Sequence, residues 1–300
     1  MTGVGLALLG AVAVLVMGVA LVAWYGADQL VQRRRPDLPA TPADYGLRYE
    51  AVSFTARDGL PLQGYWMPAP GDLPDAPPSA PAIVLCHGYN GSLDADLKTA
   101  PLLNRAGFGV LAFDFRAHGR SDGHLVSLGY HERQDLLGAV DWLQKRGVSR
   151  VGVLGFSMGG AVALSAAPLH PLIHVVVADG AFAEVRTLIE GGLRERYKTG
   201  PLTPWLAWAM LQAIGWRVAA NVAQADPLRV IGELAPRAVL LIHGAQDPYV
   251  PMDSIRALYR AARPPKALWV VPEAGHREAA QLRPQEYERR VVDFFKTYLN

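Results

Sequence analysis

Cysteine is nearly missing from this chain. Cys86 stands alone in 300 residues, so no internal disulfide can form and a small stapled scaffold is excluded. Its place inside the apolar run "AIVLCHG" marks it as a packed core thiol rather than a reactive one. An excess of one charge is missing too. Lys+Arg number 29 against 27 Asp+Glu, a net +2, and no basic stripe is interleaved with aromatics, which leaves nucleic acid nothing to read as a binding surface. His118, His124 and His131 form no ligand pattern with a carboxylate partner, so no metal site is expected. Internal repeats and long charge blocks are absent as well, and nothing predicts a protein partner. What remains is a chain 51% hydrophobic and 19% charged, enough to bury a full core in one large α/β domain plus an appendage.

The appendage is at the N-terminus. Val4 to Tyr25 carries no charge, and at about 1.5 Å per residue it would span about 33 Å, enough for a hydrocarbon core. Residues 1–26 therefore read as one transmembrane anchor. No Lys or Arg precedes the run, as a secretory leader requires, though "ALVA" leaves a cleaved signal peptide as the alternative. Trp24 and Tyr25 fall where an interfacial aromatic belt lies. Arg33, Arg34 and Arg35 follow closely enough for the positive-inside rule to place the body on the cytoplasmic side. "PDLPATPADYG" is polar and Pro-rich, so residues 27–46 read as a linker and 47–300 as the folded domain. A second Pro-rich stretch, residues 67–81, reads as a surface loop.

From there apolar runs of strand length alternate with helical patterns. "LRYEAVSFTA" and "LPLQGYWMPA", joined through Asp58 and Gly59, predict an antiparallel hairpin. "AIVLCHG", "GVLAFDF", "RVGVLGF", "IHVVVADG", "AVLLIHG" and "ALWVVPE" are near-continuously apolar, as strands buried on both faces must be. Helices fit at about 93–106, 130–146, 157–167, 252–262 and 284–298. The sum is an eight-stranded, mostly parallel, doubly wound sheet. Residues 181–236 are too long for one connection and contain the apolar stretch with Trp205, Trp208 and Trp216. They predict a helical lid over the carboxyl ends of the strands, where ligands bind in such sheets.

"GFSMGG" sits where a predicted strand gives way to a helix, the context a G-x-S-x-G turn needs. Glycines on both sides of Ser157 allow a turn in which a Cβ would strike neighbouring backbone. A serine needs a base and the base an orienting acid. His276 follows the last parallel strand and Asp247 the strand before it, so all three lie on loops at one edge of the sheet. Asp179, ending "VVVADG", is the rival acid. Asp114 is read as holding its own loop, and His87 and His118 as satisfying backbone groups. An oxyanion needs two N–H donors, for which Met158 and Tyr89 are the candidates. The Tyr89 side chain is either a wall of the acyl pocket or a plain surface tyrosine.

"HGYNGS", "FDFRAHGRSDG", "GFSMGG", "HGAQDPYVP" and "AGH", in that order, resemble the α/β-hydrolase superfamily over about residues 47–299. The nearest likeness is to bacterial serine aminopeptidase-like, monoacylglycerol lipase-like and carboxylesterase-like hydrolases, some with an N-terminal membrane anchor. The resemblance implies Ser157 as nucleophile, His276 as base, Asp247 as acid, and Tyr89 and Met158 as oxyanion donors, in two-step acyl transfer without a cofactor. "HGYN" departs from the "HGGG" of one esterase branch, which argues against esters of bulky tertiary alcohols. The expected substrate is a small or lipid-like carboxylic ester. The alternatives are an aminopeptidase-like amide hydrolase, with Glu184, Glu190 or Glu195 holding a substrate ammonium, and a catalytically silent scaffold.

Overall fold

The computed structural model describes residues 3–34, 36–72 and 77–299. Eight strands form one sheet: β1 (Glu50–Thr55), β2 (Pro61–Met67), β3 (Ala82–Cys86), β4 (Gly109–Phe113), β5 (Val151–Phe156), β6 (Ile173–Asp179), β7 (Ala238–Gly244) and β8 (Lys266–Val271). Their order is β1-β2-β4-β3-β5-β6-β7-β8. β1 and β2 make the antiparallel hairpin, β2 pairs antiparallel with β4, and every later pairing is parallel. β3, β4, β5 and β7 are buried at every residue, which is why their sequences show no alternation. After β4 the winding reverses, so the loops leaving β3 and β5 diverge and open a crevice at their carboxyl ends.

Helices cover both faces. α3 (Glu132–Lys145), α4 (Met158–Ala166) and α8 (Met252–Ala261) pack on one side, and α2 (Ala100–Arg105), α9 (Ala279–Leu282) and α10 (Pro284–Leu299) on the other. Between β6 and β7 the chain inserts α5 (Val185–Tyr197), α6 (Thr203–Arg217) and α7 (Pro227–Val230). The inner side of α6, with Leu206, Ala207, Met210, Ala213 and Ile214, joins the same packed cluster as Met158 of α4. The three tryptophans of this insertion lie instead on its outer surface.

The N-terminal helix α1 runs from Gly3 to Val31, past the predicted end of the anchor. It is long and apolar enough to cross a membrane. Its last turns are part of the folded body: Ala23, Ala27 and Val31 are buried, and α1 packs on α6. A Cβ on Gly26 would come within 2.9 Å of the Met210 Cε, so the small residues let the two helices approach closely. Asp28 pairs with Arg217 at 2.7 Å. The stretch predicted as a linker makes contacts with the body as well. The Arg34 N–H donates to the Ala117 carbonyl at 2.8 Å, and the Ser92 N–H donates to the Asp37 carboxylate at 2.7 Å. Pro42–Tyr45 closes a short 3-10 turn in which the Thr41 N–H donates to Asp44. The physical reason is that polar backbone leaving α1 lies against the loops that follow β3 and β4 and finds its partners there. Arg35, and residues 73–76 of the Pro-rich loop, lie outside the described residues.

Asp114, just past β4, is fully buried and accepts from the Leu93 and Arg120 N–H groups, each at 2.8 Å. It thereby ties the loop after β4 to the one after β3. Asp114→Ala is expected to destabilise the protein by about 1–3 kcal/mol for each orphaned N–H, read as a lowered urea midpoint.

Candidate active site

Ser157 occupies the junction between β5 and α4 with φ 51 and ψ −114, a left-handed conformation that a non-glycine residue adopts only under constraint. The constraint comes from both sides. A Cβ on Gly155 would meet the backbone of Gly159, and a Cβ on Gly159 would meet the carbonyls of Cys86 and His87. The first turn of α4 thus rests on the loop leaving β3 with no side chain between them. The Ser157 N–H donates to the Asp179 carbonyl at 2.8 Å, which pins the turn to β6 as well.

His276, in the loop after β8, brings Nε2 to 2.9 Å from the Ser157 Oγ, and its Nδ1 lies 2.6 Å from Asp247 Oδ2. With Nδ1–H donating to the carboxylate, Nε2 is the free acceptor for the serine hydroxyl. Asp247 is fixed in turn, its Oδ1 accepting from the Tyr249 and Val250 N–H groups at 2.9 Å each. Burial pushes the Asp247 carboxyl up. The hydrogen bond and charge of His276 and the two backbone donors outweigh it and hold the group below the usual carboxylate range. The Tyr249 ring stands edge-on to the imidazole at 5.5 Å. Asp179 makes no hydrogen bond to His276. Burial pushes it up to about 6, against the opposing charge of Arg277. The structure therefore brings together Ser157, His276 and Asp247, and leaves the rival acid outside the chain of contacts.

Met158 is the first residue of α4, where an N–H has no carbonyl one turn back to bind. Tyr89 lies in the loop after β3, and among the described residues its N–H makes no hydrogen bond. Its side chain is not that of a plain surface tyrosine. The hydroxyl donates to the Leu30 carbonyl at 2.7 Å, and the Arg34 guanidinium lies over the ring at 4.1 Å. The tyrosine caps the end of α1 and ties it to this loop. His118 faces the carbonyls of Arg116 and Tyr89, and His87 accepts from the Phe115 N–H while facing the Gly88 carbonyl. Burial pushes both imidazoles down. Among the described residues no cluster of His, Cys, Asp or Glu is arranged to hold a metal ion.

One ion pair was not legible in the sequence. Arg277, next to His276, reaches the carboxylate of Asp96 in the short helix after β3 and lies over the Phe156 ring at 4.7 Å. It joins the histidine loop to the loop that carries Tyr89. Its only local signal is the "GHRE" turn, which Glu278 closes by accepting the Gly275 N–H at 2.7 Å.

Comparison with known proteins bears on the fold that carries these residues. Residues 81–195 match the family model described as alpha/beta hydrolase fold. The uncharacterized protein YqkD of Bacillus subtilis is 31% identical over 242 residues, 79% of this chain and 75% of that protein. The uncharacterized protein YfhR of Escherichia coli is 28% identical over 253 residues, 84% of this chain and 82% of the other. Among solved structures, the Pyrococcus furiosus esterase Pf2001 superposes with a TM-score of 0.72 at 26% identity, covering 90% of this chain and 99% of its own.

Arg277→Met leaves Asp96 buried without a counter-charge and is expected to cost about 3–5 kcal/mol in chemical denaturation. Adding Asp96→Leu should restore most of that loss, because both charges are then gone. A double variant no more stable than Arg277→Met would show that the pair is not coupled.

Proposed function

The chain belongs to the α/β-hydrolase fold family, and from that premise we propose that it is a serine hydrolase of carboxylic esters. The observation that carries this reading is the continuous line from Asp247 through His276 to Ser157, at 2.6 and 2.9 Å, ending on a serine in strained backbone. In the proposed reaction the Ser157 Oγ bonds to the ester carbonyl carbon as its proton passes to His276 Nε2. The negative oxygen of the tetrahedral intermediate accepts from the Met158 and Tyr89 N–H groups. Collapse breaks the bond to the alcohol oxygen, which leaves with the proton from Nε2. Water then attacks the acyl-enzyme, gives its proton to His276, and the serine recovers that proton as the acid departs. Asp247 stays ionised and holds the imidazolium that forms in each half. No step calls for a cofactor.

Ester is preferred to amide on two grounds. Pf2001, an esterase, is similar over nearly its whole length. Two of the three acidic residues weighed for an aminopeptidase are engaged elsewhere: Glu190 pairs with Arg186 and Arg194, and Glu195 with Lys198. Glu184 stands at the start of α5, beside Asp226. A silent scaffold has no need of an assembled triad. We further propose that α1 spans a membrane once, with the body on the cytoplasmic side as Arg33 and Arg34 direct, and that small or lipid-like acyl esters are the substrates.

The test is hydrolysis of p-nitrophenyl esters, acetyl to palmitoyl, by the full chain in detergent. Turnover should peak at one acyl length, and Ser157→Ala should lower kcat by about six orders of magnitude, with Asp247→Asn costing about four. Turnover that survives Ser157→Ala, or no turnover at any length, would overturn the ester reading.

A further inference from the structure

α6 has two faces of different character. The inner one is buried in the same apolar cluster that contains Met158. The outer one carries Trp205, Trp208, Gln212 and Trp216 at spacings of one helical turn, all exposed, with exposed Pro201 and Leu202 in the turn just ahead of the helix. Trp205 is 72% exposed, Trp208 54% and Trp216 81%. No ionisable residue occurs from Gly200 to Trp216. Three indoles on one uncharged face are more apolar surface than an isolated soluble domain ordinarily leaves in water.

What covers this face is indicated by the helix packed against it. On α1, Val19, Ala23 and Ala27 turn towards the body and α6, while Leu21, Val22 and Tyr25 on the same turns are 64%, 59% and 67% exposed. Lipid that covers Leu21 and Val22 is therefore at the depth of α6. Trp24 joins the two helices directly, with the Arg217 guanidinium over its ring at 4.5 Å and Arg217 paired to Asp28. This is the arrangement of an interface: apolar turns, then aromatic residues, then the first charges. Arg196 and Tyr197, both exposed, stand at the end of α5 just ahead of α6.

We propose that the outer face of α6 is a bilayer-docking surface, immersed to the headgroup and upper acyl level by Trp205, Trp208 and Trp216 alongside the last apolar turns of α1. The proposal rests on the membrane-spanning reading of α1. It deepens the functional reading in one respect: an ester dissolved in the bilayer would meet the insertion between β6 and β7 without first passing through water.

The experiment uses the full chain reconstituted in phosphatidylcholine and phosphatidylglycerol vesicles with brominated acyl chains, which quench indoles at bilayer depth. The chain has seven tryptophans, and substitution separates them. Replacing Trp205, Trp208 and Trp216 together by Phe should remove about three times as much quenching as Trp24→Phe, three interfacial indoles against one. If the triple variant does not fold, the single Trp→Phe changes read one indole each and are expected to show the same losses separately. Quenching that disappears with Trp24→Phe alone would overturn the proposal while leaving α1 in the bilayer. Failure of the protein to float with the vesicles would remove the membrane reading itself, and the proposal with it. Unquenched α6 indoles in a dimer that Trp205→Arg splits would assign this face to a second copy of the chain and overturn the proposal.

Discussion

The absence of a side chain at Gly159 lets the first turn of α4 lie on the carbonyls of Cys86 and His87, and the working end of the molecule is assembled around that contact. Because the helix starts there, the Met158 N–H and the loop of Tyr89 are neighbours although 69 residues separate them in sequence. Because it starts so abruptly, Ser157 is driven to a positive φ and presented above the sheet. The winding reversal at β3 and β5 supplies the crevice into which it is presented. His276 and Asp247 then need only loops of ordinary length after β8 and β7 to reach it. The Arg277 to Asp96 pair locks the histidine loop to the far wall of the same crevice.

Much of this was legible in the sequence, for identifiable reasons. Strands buried on both faces leave unbroken apolar runs, so all six parallel strands could be read from "AIVLCHG" to "ALWVVPE". The serine, histidine and aspartate could be read because each follows a strand, and strand ends in a parallel sheet share one edge. Their mutual distances add what order alone cannot give.

The parts that escaped share a different cause. In α1 nearly every residue is apolar, so the stripe of Val19, Ala23, Ala27 and Val31 that docks on α6 has no polar background against which to stand out. The same holds for α6, where Leu206 and Trp205 are adjacent in sequence and differ only in the side they face. Tyr89 was noticed for its backbone, yet its hydroxyl bonds to Leu30, 59 residues away, and no local pattern encodes such a pairing. Arg277 and Asp96 are separated by 181 residues and pose the same difficulty.

The docking of α1 also decides where the molecule's cooperative structure begins. Ala23, Ala27 and Val31 are enclosed as completely as residues in the middle of β5, and the helix's last carbonyls are taken by Tyr89 and Arg34. Those turns cannot fray, or exchange their amide hydrogens, without opening α6 and the Tyr89 loop with them. The turns before Val19 have no such partners among the described residues and share none of that protection. The line between the half that stands free and the half that melts with the core therefore crosses one unbroken helix, about twenty residues ahead of the prolines that mark a boundary in the sequence.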